Sequence, residues 1–548
     1  MKKLLPFVLC STATAFCLGA VSASAGYVTP RVPPAASRAM AQSLTGPAIT
    51  PNGLPVRWTV TTVHDSGPGS LRQAIASAAP GDVINFALKL PATIVLTNSL
   101  VIDQDLTVLG PGPDRLTVMR SAALFTPRFR VFDVESGVVT IAGITIRNGI
   151  AFDASSFIDN IGGGIYSQGT LTVSNCVITG NSAPSSSSGG TNSLGFGAGI
   201  FSDRSQLTVI NSTISGNQAS AAGGGICTFE STPFYAQGCT VRGNFAGMQG
   251  GGLNFQGHAG TLQNCTIAGN ATAADGVGSG IVNYAAEAEA PPMLTLTACT
   301  VAGNRGTTNG VFGIAGLNDD LGLTTRLLST LVGANVGPNF FFTGTLTFQS
   351  LGHNLDSDGT SGLVNGANGD LVGTVATPIN AKLGRLENNG GPTLTRALLP
   401  GSPALGTAAC SDADGAPLTV DQRGLPRPQV TGCDIGAFEN QAPTLICPVA
   451  QTLNSCGSHG GTFASLTATV ADPDGDALMV VWSVNGISRQ TDYVAATHPP
   501  EPKAATFNAL FSLGTNTVSV WVSDGKAVPV ACSTSVIVRT PSRNPPRP

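Results

Sequence analysis

Carboxylates are scarce in this 548-residue chain, with 31 Asp and Glu in all, so the places where they gather stand out. In the middle of the chain, Asp203, Glu230, Asp319 and Asp320 lie three to five residues beyond the glycines Gly199, Gly225 and Gly316. Hydrolysis of a glycosidic bond needs two carboxyl groups at controlled separation, one protonated and one ionised. Asp203 and Glu230 are the best such pair, with Arg204 beside them. Their offsets from the glycine differ by one residue, which in a strand aims them at opposite faces. Surface turn residues account for all four acids as well, and no catalytic residue is assigned. Near the C-terminus, Asp472-Pro473-Asp474-Gly475-Asp476 can present three carboxylates to Ca²⁺, with Asp524 nearby, because calcium takes several hard oxygens. The same run is also an ordinary Asp-Gly turn and lacks the rest of an EF-hand loop. No C-x-x-C pair supports structural zinc, and no other cofactor is expected.

Composition limits what these residues can serve. The formal charge is −4 and only 11% of residues are charged, so there is no basic footprint for nucleic acid. With 69 Gly and 36 Pro, and too few charges for the wet faces of amphipathic helices, the chain reads as β-rich and turn-rich. Lys2 and Lys3 precede an apolar run from Leu4 to Val21, and Ala23-Ser24-Ala25 offers a small-residue cleavage site. That is the layout of a secretory signal peptide over residues 1–25, followed by a linker to 55. No later segment has the roughly 18 uninterrupted apolar residues of a membrane span. The expectation is a secreted or cell-surface protein, monomeric, without a transmembrane segment after signal cleavage.

The elements that would position the acids come from an internal repeat. One signature is Gly-small-Gly-aliphatic: Gly162-Gly163-Gly164-Ile165, Gly197-Ala198-Gly199-Ile200, Gly223-Gly224-Gly225-Ile226, Gly250-Gly251-Gly252-Leu253 and Gly278-Ser279-Gly280-Ile281, with a degraded copy at Ile314-Ala315-Gly316-Leu317. The other ends in Gly-Asn, at Asn181, Asn217, Asn244, Asn270 and Asn304. From the third Gly to the next such Asn the distances are 17, 18, 19, 18 and 24 residues, while the remainder absorbs insertions such as 183–194 and 285–292. Between the signatures lie short alternating runs such as Leu171-Thr172-Val173, the period of half-buried strands. Three short strands and three turns per repeat fit one coil of a parallel β-helix, each coil about 4.8 Å above the last. Asn at the turn tolerates a left-handed backbone, and identical amides stacked along the axis can bond coil to coil.

Cys176, Cys239, Cys265 and Cys299 share one repeat position, where Ser212 stands in another coil. Such a row could hold a metal or act in redox chemistry, but parallel neighbours about 4.8 Å apart exceed the roughly 3.5–4.5 Å Cβ separation of a disulfide. A column of small buried thiols is the favoured reading. Cys410 and Cys433 bracket a compact Pro/Gly segment and look like a disulfide, and Cys447 or Cys456 is expected to pair with Cys532.

Upstream, His64-Asp65-Ser66-Gly67-Pro68-Gly69-Ser70 leads into Leu71-Arg72-Gln73-Ala74-Ile75-Ala76-Ser77-Ala78, a short helix with Ser70 as N-cap and Gln73 completing a capping box, placed to plug the open end of the coil stack. This opening resembles bacterial secreted right-handed parallel β-helix repeat proteins, including those with the CSLREA module. A second resemblance runs through Leu351-Gly352-His353-Asn354-Leu355, Asn388-Asn389-Gly390-Gly391-Pro392, Asp421-Gln422-Arg423-Gly424 and Cys433-Asp434-Ile435-Gly436-Ala437-Phe438-Glu439. It is similar to the choice-of-anchor Q domain, which implies export and display rather than catalysis. Arg423 with Asp434 or Glu439 is expected to form a structural ion pair there. From Gln441 on, alternating strands with turns about every ten residues suggest a β-sandwich, similar to bacterial immunoglobulin-like modules of the PKD, HYR or cadherin-like kind.

The expected fold is all-β: a right-handed parallel β-helix (a solenoid) over 56–345 with a short N-terminal capping helix, an anchor-Q-like cap over 346–440, an immunoglobulin-like sandwich over 441–540, and a disordered tail at 541–548. Related β-helices include pectate lyases and polygalacturonases, but His258 lacks the Gly-His-Gly of the latter. The expected function is an adhesin-like or carbohydrate-binding display scaffold, non-catalytic, whose partner is an extracellular polysaccharide or cell-surface glycan. Tyr166, Phe201, Phe229, Phe255 and Tyr284 could stack sugars. The alternative is a polysaccharide lyase or glycoside hydrolase acting on acidic polysaccharide along the β-helix face.

Overall fold

Apolar residues at every second position build strands with one buried face, and in a computed structural model of the chain these strands stack in register as a parallel β-helix. The structure describes residues 55–540, apart from 152–159, 189–190, 232, 274, 286–292, 307–313, 319–323, 343–346, 429–431, 456–459 and 498–499. The leader with Lys2 and Lys3, the linker up to 54, Asp319, Asp320, Cys456 and the tail 541–548 therefore lie outside the described residues. The chain divides into two compact units. One runs to Asn380 and includes Ser411–Pro417; the other comprises Ala381–Cys410 and everything from Leu418 on.

The first unit has three long parallel sheets. Two have 11 strands and the third has nine, and successive coils add one strand to each. Within a coil the chain passes from the third sheet (for example Ile200–Asp203) to the first (Leu207–Ile210) and then the second (Thr213–Ser215). Register is kept from coil to coil: Ile165, Ile200, Ile226, Leu253, Ile281 and Ile314 pair in succession and are all buried. Such a column buries each coil's apolar edge against identical neighbours, which no single coil could do alone. The second sheet continues through Leu355–Asp356 and Leu371–Val372, so stacked strands extend past the expected boundary at 345.

Both repeat signatures have a mechanical reason. Asn181, Asn217, Asn244, Asn270 and Asn304 form one file, each Nδ2 donating to the next Oδ1 at 2.9–3.0 Å. Asn335 and Asn339 extend it. Each backbone N–H also donates to that same Oδ1, and each Nδ2 reaches a carbonyl of the preceding coil, as Asn244 does with Ile214 at 3.0 Å. The left-handed residue of this turn is the glycine before the Asn, with Gly216 at φ 62° and Gly243 at φ 60°, so the Asn serves through its amide and not through backbone tolerance. The third Gly of the other signature lies against this file. A Cβ on Gly225 would sit 2.5 Å from the Gly252 carbonyl oxygen and 3.0 Å from Asn244 Nδ2, so only Gly fits.

At the turn between the first and second sheets, the shared cysteine position carries a small donor. Cys239 Sγ donates to the Gln237 carbonyl at 3.2 Å, Cys299 Sγ to Thr297 at 3.3 Å, Ser212 Oγ to Ile210 at 2.8 Å and Thr330 Oγ1 to Leu328 at 3.1 Å. Thiol and hydroxyl are interchangeable because both satisfy the carbonyl two residues back. Cys176, Cys239, Cys265 and Cys299 are buried and outside the disulfides, as is Cys227. Burial pushes the Cys176 thiol up to about 12, where it is unreactive. Asn354 continues the column and bonds to Asp370 Oδ1 at 3.0 Å, which gives the Leu351–Leu355 motif a place in the last coils.

The helix Leu71–Ser77 buries Leu71, Ala74 and Ile75 in the β-helix core at the N-terminal end. Ser70 Oγ accepts the Gln73 N–H at 3.2 Å, but the Gln73 side chain bonds Ser77 Oγ instead of closing a capping box. Asp82, in the Pro80-Gly81-Asp82 turn that stops the helix, ties this end together by accepting from Val56 N, Ala79 N and Trp58 Nε1.

In the second unit the hairpin Leu383–Glu387/Thr395–Leu398 precedes a compact segment closed by the disulfide Cys410–Cys433. Beyond it lie two sheets of three and five strands. Their pairing is antiparallel except for Gln451–Asn454, which runs parallel to Val530–Arg539, and they form a β-sandwich around buried Trp482, Phe507 and Phe511. Cys447, rather than Cys456, is the partner of Cys532, with Cα atoms 5.9 Å apart.

Candidate functional site

The outward row of the third sheet carries the polar chemistry of the β-helix. Residues one step beyond the buried Ile column face away from the core, so Asp133, Tyr166 and Phe201 come into register across three coils. Arg130 pairs with Asp133 at 3.2 Å and lies 4.5 Å above the Tyr166 ring. Tyr166 stacks on Phe201 at 6.1 Å and donates its hydroxyl to Asp203 Oδ2 at 3.0 Å, where Gln168 Nε2 also donates. Arg204 reaches Asp203 at 3.5 Å and Glu230 at 2.8 Å, and covers the Phe229 ring at 5.0 Å. Burial and the neighbouring Asp203 charge hold the Tyr166 phenol well above its ordinary range, so it remains a donor.

Strict alternation would part Asp203 from Glu230, yet one guanidinium joins them. The reason is local backbone: Arg204 and Glu230 both take left-handed conformations, φ 49° and 47°, at their strand ends. The register also breaks between Thr228 and Ser231, so alternation no longer governs which face is reached. Arg204 and Glu230 stay open to solvent, their side chains 57% and 44% exposed. One guanidinium thus contacts both carboxylates, Asp203 from the buried side and Glu230 from the solvent side.

The aromatic ledge is smaller than the sequence suggests. Phe255 points into the core beside Phe234, because it sits two residues beyond the inward Leu253 and shares its face. Phe201 is buried in an outer apolar cluster with Phe196, Ala221, Ala222 and Cys227, and Tyr284 packs with Val282 further along. Guanidinium groups cover the Tyr166 and Phe229 rings, so what this face offers a ligand is charge and hydrogen bonds. His258 is exposed at a bend after Gly257.

In the second unit, the motif residues Asp421, Arg423, Asp434 and Glu439 converge with Arg427 as a buried network. Arg423 Nε pairs with Asp421 at 2.8 Å, its Nη1 with Asp474, its Nη2 donates to the Glu439 carbonyl, and the guanidinium lies 3.7 Å over Phe438. The carboxylate of Glu439 goes instead to Arg427 at 3.1 Å, and Asp434 accepts the backbone N–H groups of Gly406 and Asn440. The expected pairing of Arg423 with Asp434 or Glu439 side chains is thus replaced by Asp421 and Asp474, because the planar fork has acceptors on three sides. Asp472, Asp474 and Asp476 each bring an oxygen within 4.8 Å of one another.

No curated protein compared with the chain matches it. Residues 135–318 match the family described as right handed beta helix region. With three parallel sheets stacked coil on coil around one apolar core, the first unit of this chain is a right-handed parallel β-helix.

Proposed function

We propose that the protein is exported and displayed at the cell surface, where its β-helix binds carbohydrate through the charged ledge of the third sheet without cleaving it. The carrying observation is the solvent-open Arg204–Glu230 pair backed by Asp203, Tyr166 and Arg130, a fixed row of donors and acceptors suited to sugar hydroxyls and uronate carboxylates. Export is supported by the layout of residues 1–25 and by two disulfides, which persist in oxidising compartments. No described helix is long and apolar enough to cross a membrane. Display is supported by the anchor-Q-like motifs, and the sandwich would be the module they present.

The test is retention of the purified protein on an array of neutral and acidic polysaccharides, with and without Arg204→Ala. Binding without turnover, weakened about tenfold by loss of one charged contact, is expected. Asp203 and Glu230 do share one guanidinium, which keeps a lyase or hydrolase as the alternative. Release of unsaturated or reducing sugar ends, abolished by Asp203→Asn or Glu230→Gln, would establish it and refute the non-catalytic reading.

A further inference from the structure

Among the described residues, the second unit contains buried negative charge that the neighbouring cations do not balance. Asp472, Asp474 and Asp476 each bring an oxygen within 4.8 Å of one another, and a second loop, tied to them by Lys526 on Asp476, carries Asp524, whose charge acts on Asp472. Two cations reach them: Arg423 takes Asp474 while also serving Asp421, and Lys526 takes Asp476 at 2.6 Å. Gln441 N–H fills the other oxygen of Asp474. Asp472 Oδ1 is used by the backbone N–H groups of Asp474 and Asp476, and Asp524 Oδ1 by those of Lys526 and Ala527. The remaining oxygen of each, Oδ2, has no hydrogen-bond partner, although Asp472 is 4% and Asp524 8% exposed. Buried carboxylate oxygens without partners are costly and are ordinarily matched by a donor or a cation.

We propose that the Asp472–Asp476 cluster binds one calcium ion through the orphaned Asp472 oxygen and Asp476, with the orphaned Asp524 oxygen of the neighbouring loop closing on it. The donor set is all hard oxygen, which suits Ca²⁺, Mg²⁺ or Mn²⁺ over zinc or copper. Ca²⁺ is favoured because it accepts irregular sets of carboxylates, whereas Mg²⁺ demands a near-ideal octahedron and sheds water reluctantly. Without such an ion, burial and then the charges of Asp474, Asp476 and Asp524 hold the Asp472 carboxyl up to about 7. Asp474 is spent on Arg423 and Gln441, so it fastens the loop to the segment 421–441 and adds charge to the site without being a free ligand. A bound ion would therefore stiffen this junction within the second unit, independently of any glycan on the β-helix.

The experiment is calorimetric titration of CaCl₂ into the chelator-stripped full-length protein, paired with hydrogen exchange read by mass spectrometry. One site is expected with Kd about 10⁻⁴–10⁻³ M, the range of extracellular modules, and Mg²⁺ should not compete at equal concentration. Asp472→Asn and Asp524→Asn, which keep the acceptor used by the backbone, should each weaken binding at least tenfold, while Glu501→Gln, in an exposed pair with Lys503, should not. If either variant fails to fold, the wild-type exchange map decides: calcium must slow exchange at the amides of Asp474, Asp476, Lys526 and Ala527. No saturable binding up to about 10 mM, well above that affinity range, binding unchanged in both variants, or protection confined elsewhere would overturn the assignment.

Discussion

The β-helix and the segment around Arg423 both bury polar groups, by opposite strategies. In the helix, one neutral amide per coil is repeated, and each Asn supplies what its neighbour needs: Asn217 donates twice to Asn244, which donates twice to Asn270. In the second unit, single charged groups are each used once, and Arg423 draws on Asp421, Asp474 and the carbonyls of Asn389 and Glu439. Repetition spreads the cost of burial over many equivalent positions. Convergence concentrates it on one side chain whose loss strands several partners.

That contrast ranks the consequences of breaking each region. Arg423→Ala leaves Asp421 and Asp474 buried without their cation, and should cost about 3–5 kcal/mol in chemical denaturation of the second unit. Asn244→Ala removes one rung and orphans the Asn217 donors, so about 3 kcal/mol is expected from the first unit's transition. Equal losses at Asn244 and at the terminal Asn181, whose one amide neighbour in the file is Asn217, would count against repetition as the source of stability. Gly225→Ala should exceed Gly243→Ala. The first meets a carbonyl and an amide, while the second has open space and pays only the left-handed backbone penalty of roughly 1–2 kcal/mol. Cys265→Ser should be the mildest, within about 1 kcal/mol, since Ser212 already fills that position two coils away. The buried thiols should resist an aqueous thiol reagent until the β-helix unfolds.

How much of this could be read from the residues follows the same division. The β-helix was legible because each coil must solve one problem the same way, so Gly-small-Gly and Gly-Asn recur at fixed separation and strand register follows. The partners of Arg423 were not, because Asp474 lies 51 residues away and no periodicity announces a pairing made once. The meeting of Asp203 and Glu230 was hidden for a third reason. Strand alternation is a rule for extended backbone, and Arg204 and Glu230 leave that conformation where it matters. Asp82 likewise reads in the sequence only as part of the turn that stops the helix, although it caps three donors at the N-terminal end. The Asp472–Asp476 cluster was visible as a run of acids, but the availability of its oxygens depends on Lys526 and Arg423, which only folding brings near.

The amide-to-amide bonds of the file have a direction: every Nδ2 donates to the Oδ1 of the following coil, and every Oδ1 accepts from the preceding one. A polymer of head-to-tail links of this kind is indifferent to how many monomers it contains. Duplication or excision of a whole coil would re-form the same junction, while a fragment of a coil could only be accommodated as an outward loop. Reach along the axis could therefore be lengthened or shortened in whole steps during descent, with the chemistry of each remaining step untouched.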